Sequence, residues 1–274
     1  MHTYNRMPIS FTGGAGAYIT GADGKRYLDF LSGIAVTILG HRHPAAVKAL
    51  MKAAKGVWHT SNLFEIPAQT ALGKKIAARG LNGKTFFCNS GTEANEAALK
   101  LAVKRGSAIS RTKTNIVAML NSFHGRTVGA LNLTGQEKYR KDFPALTGIS
   151  YVPYNDVAAL TAAANENTAA VFIEVIQGEA GVYPVTEEYY RAVRSLTREH
   201  NALMVIDEVQ TGMGRTGHLF GFERFTEKPD VFTLAKGLAN GFPIGAMHAA
   251  PHCADVFTPG THASTFGGNP LAAA

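Results

Sequence analysis

With 274 residues, 46% apolar and 17% charged, the chain has enough apolar material for one large core or two smaller ones, and its composition excludes a disordered segment. Its two cysteines, Cys88 and Cys253, exclude a disulfide scaffold. No run of about 18 apolar residues reads as a membrane span, and no apolar stretch behind Met1–Arg6 reads as a signal peptide, so the expected address is the cytoplasm. The 27 basic and 20 acidic residues give a formal charge of +7, but the basic ones fall as scattered pairs such as Lys74-Lys75 and Arg140-Lys141. Without a basic stripe, nucleic acid is not an expected partner.

The chain opens with a β-hairpin signal, Ala17–Thr20 and Arg26–Phe30 joined through Asp23-Gly24. The Gly13-Gly14-Ala15-Gly16 cluster precedes a strand, where a dinucleotide fingerprint requires a helix. Helical spacing follows at 44–55 and 67–79, then a strand at 85–88 and a helix at 92–105 that Gly106 is expected to stop. Strands are expected at 115–119, 149–153, 169–175, 202–206, 230–234 and 244–249, with helices at 155–164 and 186–200. This alternation predicts a mostly parallel, doubly wound α/β sheet of seven strands. The strand at 244 follows its predecessor too closely for a long crossover and is expected to run antiparallel. Such sheets bind ligands at the carboxyl ends of their strands.

Those ends carry informative residues. After 85–88 comes Asn89–Glu96, in which Ser90 and Glu93 have capping-box spacing and Ala94, Ala97, Ala98, Leu101 and Ala102 form a narrow apolar face. The Gly91 helix start leaves N–H groups able to hold an anion such as phosphate, although a plain capped helix has the same sequence. After 115–119, Phe123 and Arg126 suit a planar ring and a carboxylate, or equally a core aromatic and a surface cation. The strand at 169–175 ends with Glu174 and is followed by Glu179, suggesting one structural and one functional carboxylate. Asp207-Glu208 also resembles the magnesium site of a nucleotide hydrolase. The nearest phosphate loop, Gly80–Thr85, has the wrong spacing and precedes its strand. Lys236, between an apolar strand and small residues, reads as a desolvated nucleophile or as a lysine lying along apolar surface. A helix start for phosphate, an aromatic, a strand-end Asp and a later Lys together match pyridoxal 5'-phosphate.

On these motifs, with Gly40–Pro44, Gln177–Gly181, Ile206–Thr211, Leu234–Gly245 and Ser264–Pro270, the chain resembles the class III, fold type I aminotransferases throughout its length. The resemblance implies that Lys236 joins the cofactor as a Schiff base and moves the proton, while Asp207 pairs with the pyridinium nitrogen. It further implies that Gln210 lies near the ring hydroxyl, Phe123 stacks on the ring, and Ser90, Gly91 and Thr92 hold the phosphate. Thr265 would reach the phosphate of a neighbouring subunit in a homodimer whose active site is shared. Arg126 would bind a substrate carboxylate, and Glu179 would cover a second substrate arginine. No metal is implied, and His41 and His43 read as turn residues.

The opening Thr3–Ile9 and Ser32–Val36 are most similar to members that act on N-acetylornithine with 2-oxoglutarate, in arginine biosynthesis. Ornithine, succinylornithine, succinyldiaminopimelate and 4-aminobutyrate are alternative amino donors, and a chain that binds cofactor or a partner without turnover is the alternative of another class. The implied domains are an N-terminal segment, 1–45, with small-domain and dimer contacts, and a cofactor-binding large domain, 46–274. The resemblance continues that domain past Ala274 into a small C-terminal domain carrying the second arginine. The expectation is therefore a fragment, truncated at its C-terminal end, with weak turnover or none.

Overall fold

The computed structural model describes residues 1–274. Three short antiparallel strands open the chain: β1 (Phe11–Ala15), β2 (Tyr18–Gly21) and β3 (Arg26–Leu28). The expected hairpin is β2–β3, and the glycine cluster belongs to β1, a largely exposed strand that the sequence pattern had not marked. Past β3 the chain is held by Asp29, whose carboxylate accepts from Leu31 N and Ser32 N and bonds His41 Nε2 at 2.7 Å.

The remaining chain builds β4 (Lys84–Cys88), β5 (Asn115–Met119), β6 (Ile149–Val152), β7 (Thr168–Glu174), a small ribbon of β8 (Ile176–Gln177) and β9 (Tyr183–Pro184), then β10 (Leu203–Asp207), β11 (Val231–Leu234) and β12 (Gly245–Ala249). Seven of these form one sheet in the order β4-β12-β11-β10-β7-β5-β6. The one strand running against the rest is β12, antiparallel to both β11 and β4, as its short connection dictates. No helix is long and apolar enough to cross a membrane.

Period-two alternation divides the central strands between two cores. Val171 and Ile173, Met204 and Ile206, and Phe232 and Leu234 face one layer, against the Glu187–Glu199 helix and a cluster of aromatic rings. Ala170 and Phe172, Leu203 and Val205, and Val231 face the other, against the Gly91–Ile109 helix. That helix leaves β4 at one edge and returns to β5 near the other, so it must cross the sheet, and it packs against β12, β11 and β7 on its way. By the same parity Glu174, Asp207 and Thr233 fall on the side of this helix.

Gly106 does not stop the helix; it lies inside it, and the helix runs on to Ile109. The glycine is needed for close approach instead. A Cβ there would lie 2.0 Å from the Lys113 carbonyl oxygen and 3.0 Å from Ala169 Cβ. Helix propensity alone favours alanine over glycine by about 1 kcal/mol, but overpacking against fixed backbone costs about 1–3 kcal/mol or more. Gly106→Ala is therefore expected to lower the melting temperature, and a rise on thermal unfolding would contradict the packing argument.

Candidate active site

The carboxyl ends of β4, β5, β7, β10 and β11 surround one cavity of about 380 Å³. Its lining includes Ser90, Gly91, Thr92, Phe123, Arg126, Glu179, Asp207, Gln210 and Lys236, residues spread over 147 sequence positions from 90 to 236. Thr265 is exposed and lies outside this lining.

The helix start is built as its sequence requires. Ser90 is the N-cap: its Oγ accepts from Glu93 N at 3.3 Å and donates to Glu93 Oε2, which also accepts Asn89 N. Backbone N–H groups in a first helical turn have no intrahelical acceptor. Ser90 takes that of Glu93 and leaves those of Gly91 and Thr92 at the cavity wall. A Cβ on Gly91 would meet Val209 at 2.7 Å, so only glycine lets this turn sit against the loop after β10. The Thr92 hydroxyl is engaged elsewhere, accepting from Arg126 N (3.1 Å) and Thr127 N (3.3 Å) and sharing a hydrogen bond with Thr127 Oγ1. It thereby fastens the Arg126 loop to the helix.

Asp207 ends β10 with 4% of its surface exposed, and a buried carboxylate is tolerated only when well paired. Oδ2 accepts from Asn95 Nδ2 at 2.7 Å and bonds His124 Nδ1 at 2.8 Å. Oδ1 accepts from Val209 N at 2.9 Å, and Thr233 Oγ1 lies 3.4 Å from it. Thr233 gives its one hydroxyl proton to Asn95 Oδ1 at 2.9 Å, and Asn95 donates to the His124 carbonyl, so the network closes on itself. Burial alone would lower the His124 pKa, but the hydrogen bond and charge of Asp207, with Glu174 beyond, hold it above the usual histidine range. Its Nε2 is buried without a partner.

Glu174 lies opposite Asp207 in the β7–β10 register and accepts from Phe123 N at 3.2 Å. Burial pushes its carboxyl well above the ordinary range, His124 pulls against this, and Asp207 adds to it. Glu208 points into the opposite layer, where Thr211 Oγ1, Gly221 N and Phe222 N donate to it and burial pushes its pKa up to about 7. It braces the loop after β10 and takes no place in the cavity lining, so Asp207 and Glu208 do not face one site, and no group of three or more His, Cys, Asp or Glu side chains comes together in the structure.

Lys236 follows β11 with φ of +40°, a left-handed conformation uncommon outside glycine and costly at an ordinary residue. Burial holds its amine below the usual lysine range, opposed by the charges of Asp207, Glu179 and Glu174. Gln210 packs tightly enough on Gly178 that a Cβ there would collide with its side-chain oxygen. Phe123 and the exposed Arg126 stand on the β5 side, and Glu179, also exposed, is free of ion pairs.

Asn95, His124 and Thr233 have no role in the sequence reading, and Glu174 enters there only as one of two carboxylates, one structural and one functional. Asn95 carried a detectable signal: it is a polar residue three positions before Ala98, on the apolar face of the helix.

The sequence matches the aminotransferase class-III family over residues 1–274. It is 52% identical over 276 residues to the acetylornithine aminotransferase of Caldanaerobacter subterraneus subsp. tengcongensis, covering 100% of this chain and 70% of that one. Among solved structures, the ornithine aminotransferase of Toxoplasma gondii ME49 superposes with a TM-score of 0.94 at 34% identity, covering 100% of this chain and 66% of its own. Another structure of the Toxoplasma gondii enzyme (TM-score 0.92, 34% identity, 98% and 65% covered) is described as having pyridoxal phosphate at partial occupancy in the active site. The N-acetylornithine aminotransferase of Stenotrophomonas maltophilia K279a gives 0.83 at 38% identity, covering 98% and 67%.

The protonated state of Glu174 can be checked through stability. Between its unfolded pKa and its raised native pKa, the folded chain keeps a proton that the unfolded chain has released, so its contribution falls as pH rises through that window. Glu174→Gln keeps the neutral shape and removes the slope. The variant is expected to match the parent in melting temperature near pH 4.5 and exceed it increasingly toward pH 8; a constant difference across that range would contradict the assignment.

Proposed function

Because the chain belongs to the class III aminotransferases, we propose that it holds pyridoxal 5'-phosphate in this cavity and transfers an amino group from N-acetylornithine to 2-oxoglutarate. The products are N-acetylglutamate 5-semialdehyde and glutamate. The observation that carries this reading is the pairing, across one cavity, of an amine kept below the usual lysine range with a buried carboxylate hydrogen-bonded by Asn95, His124 and Val209 N.

The residues present fit the cofactor. The free N–H groups of Gly91 and Thr92 at a helix start suit a phosphate, with the helix dipole adding about 0.3–1 kcal/mol or more when partly buried. Asp207 suits a protonated ring nitrogen, Gln210 the ring hydroxyl, and Phe123 a ring face. When bound, the cofactor supplies an electron sink for the carbon next to the reacting nitrogen.

The chain's own groups do the rest. Asp207, whose oxygens take hydrogen bonds from Asn95, His124 and Val209 N, is the carboxylate suited to hold a proton on a neighbouring ring nitrogen. Lys236 has an amine that releases its proton more readily than an exposed lysine, so it can join a carbonyl and, once displaced, carry a proton between substrate carbon and cofactor. Positioned proton transfer of this kind contributes about 10²–10⁴-fold. Arg126 presents a planar fork of donors to a substrate carboxylate. Glu179, without a protein cation, is the carboxylate positioned to screen a second substrate-binding arginine.

The 52% identity to an acetylornithine aminotransferase supports the N-acetylated donor. A second reading, free ornithine as donor, has its support in the TM-score of 0.94 to an ornithine aminotransferase. A second copy of the chain as partner is supported by Thr265, which is exposed and outside the lining, and by the exposed Phe30, Trp58, Leu63 and Phe64 of the N-terminal portion. The proposed division is a contact-forming segment over 1–45 and a cofactor-binding domain over 46–274. The chain spans 70% of the length of its Caldanaerobacter relative.

On adding pyridoxal 5'-phosphate, the protein is expected to turn yellow and Lys236→Ala to stay colourless; unchanged colour in the variant would refute the lysine assignment. Assayed side by side, N-acetylornithine is expected to reduce the yellow form faster than ornithine, succinylornithine or 4-aminobutyrate. Preference for free ornithine would transfer the reading to the second donor.

A further inference from the structure

Arg126 is an exposed cation whose guanidinium has no hydrogen bond or ion pair to the protein; only its backbone is tied down, through Thr92. Its position is nonetheless defined, because its Cζ lies 3.8 Å from the centre of the Tyr139 ring and 5.5 Å from that of Phe123. Tyr139 meets Phe123 edge-on, with ring centres 6.1 Å apart and planes at 83°. One tyrosine therefore touches both the aromatic at the cavity wall and the cation beside it.

At 3.8 Å the guanidinium carbon lies over the ring at stacking distance, and a guanidinium stacked on an aromatic face keeps its in-plane N–H donors free. A carboxylate is bound by those same in-plane donors. The stacking and the clamp therefore use different parts of one side chain and do not compete. A long arginine loses rotamer freedom when it grips a carboxylate, and a ring that already holds it removes part of that loss at binding.

The shelf itself is fixed to the sheet. Tyr139 stands in the short Glu137–Arg140 helix, its N–H on the Gln136 carbonyl. Gly135 N donates to Ser122 Oγ, and a Cβ on Gly135 would lie 1.9 Å from the Met119 carbonyl oxygen, so this segment lies against the end of β5. The same strand end delivers Phe123 and Arg126.

We propose that Tyr139 is a positioning residue for substrate recognition: its ring holds the Arg126 guanidinium flat, donors outward, before the carboxylate arrives. The proposal rests on the reading of Arg126 as the carboxylate-binding residue. The ring's electrons, not its hydroxyl, carry the effect, and Lys138, whose ammonium lies 4.7 Å from the same ring centre, adds positive charge beside it.

The test uses the cofactor-loaded protein and two readouts, calorimetric binding of glutarate, a dicarboxylate that cannot react, and steady-state kinetics. Tyr139→Leu is expected to weaken glutarate binding and raise KM by about fivefold, the effect of one partly exposed cation–π contact. Its kcat and yellow colour should stay unchanged. Tyr139→Phe should restore both constants to near the parent's.

An affected Arg126→Leu beside an unaffected Tyr139→Leu would overturn the shelf and leave the Arg126 reading standing. An unaffected Arg126→Leu would remove the reading beneath it. A fall in kcat or colour with KM unchanged, or a Phe variant as weak as the Leu variant, would also overturn the proposal. If Tyr139→Leu does not fold, Tyr139→Phe and Tyr139→Trp still keep a ring, and weakened glutarate binding in both overturns it.

Discussion

Everything in the cavity is arranged around one buried charge. A carboxylate taken out of water costs several kcal/mol unless hydrogen bonds replace its hydration, and Asp207 has three such partners. They come from three separate places, Asn95 from the crossing helix, His124 from the loop after β5 and Val209 N from the turn after β10 itself, while Thr233 of β11 fixes Asn95 with its own proton. None of these can be supplied locally except Val209. The helix must cross the sheet, and β10 must lie between β7 and β11, before the charge can be tolerated at all. The architecture and the chemistry therefore impose the same requirement on the chain.

The network also sets where protons reside. His124, hydrogen-bonded to Asp207 and close to Glu174 on the adjacent strand end, is held above the usual histidine range, while burial raises the Glu174 carboxyl. In a site excluded from water each of these charges acts more strongly than it would at the surface. Lys236 completes the balance. Its burial opposes the charged form, nearby carboxylates favour it, and its left-handed backbone holds the side chain at the exit of β11. The outer wall is arranged differently, by stacking rather than burial, with the exposed Arg126 laid against the half-buried Tyr139.

Much of this was legible in the sequence, and the reason is locality. The Ser90–Glu93 cap, the apolar strands alternating with helices and the short link before β12 are statements about neighbours, and the structure bears each of them out. Asp207 and Lys236 were marked because a strand end positions them. Gly106 misled because its role is a contact with Lys113, seven residues on in the link to β5, whereas its local signal is that of a helix stop. Asn95 and His124 were passed over because their partner lies 112 and 83 residues away, respectively. The β1 strand went unmarked because it is exposed, so nothing imposed an apolar alternation on it. What remained hidden was long-range pairing, not chemistry.

The central claim is that the charge of Asp207, and not merely its shape, drives the reaction. Asp207→Asn retains the size and most of the hydrogen-bonding capacity of the site while removing the anion. In a single-turnover experiment with N-acetylornithine, the cofactor-loaded variant is expected to remain yellow and to react about 10²–10³-fold more slowly than the parent, the scale of losing one preorganised electrostatic group. A variant that binds the cofactor and reacts at the parent's rate would contradict the account.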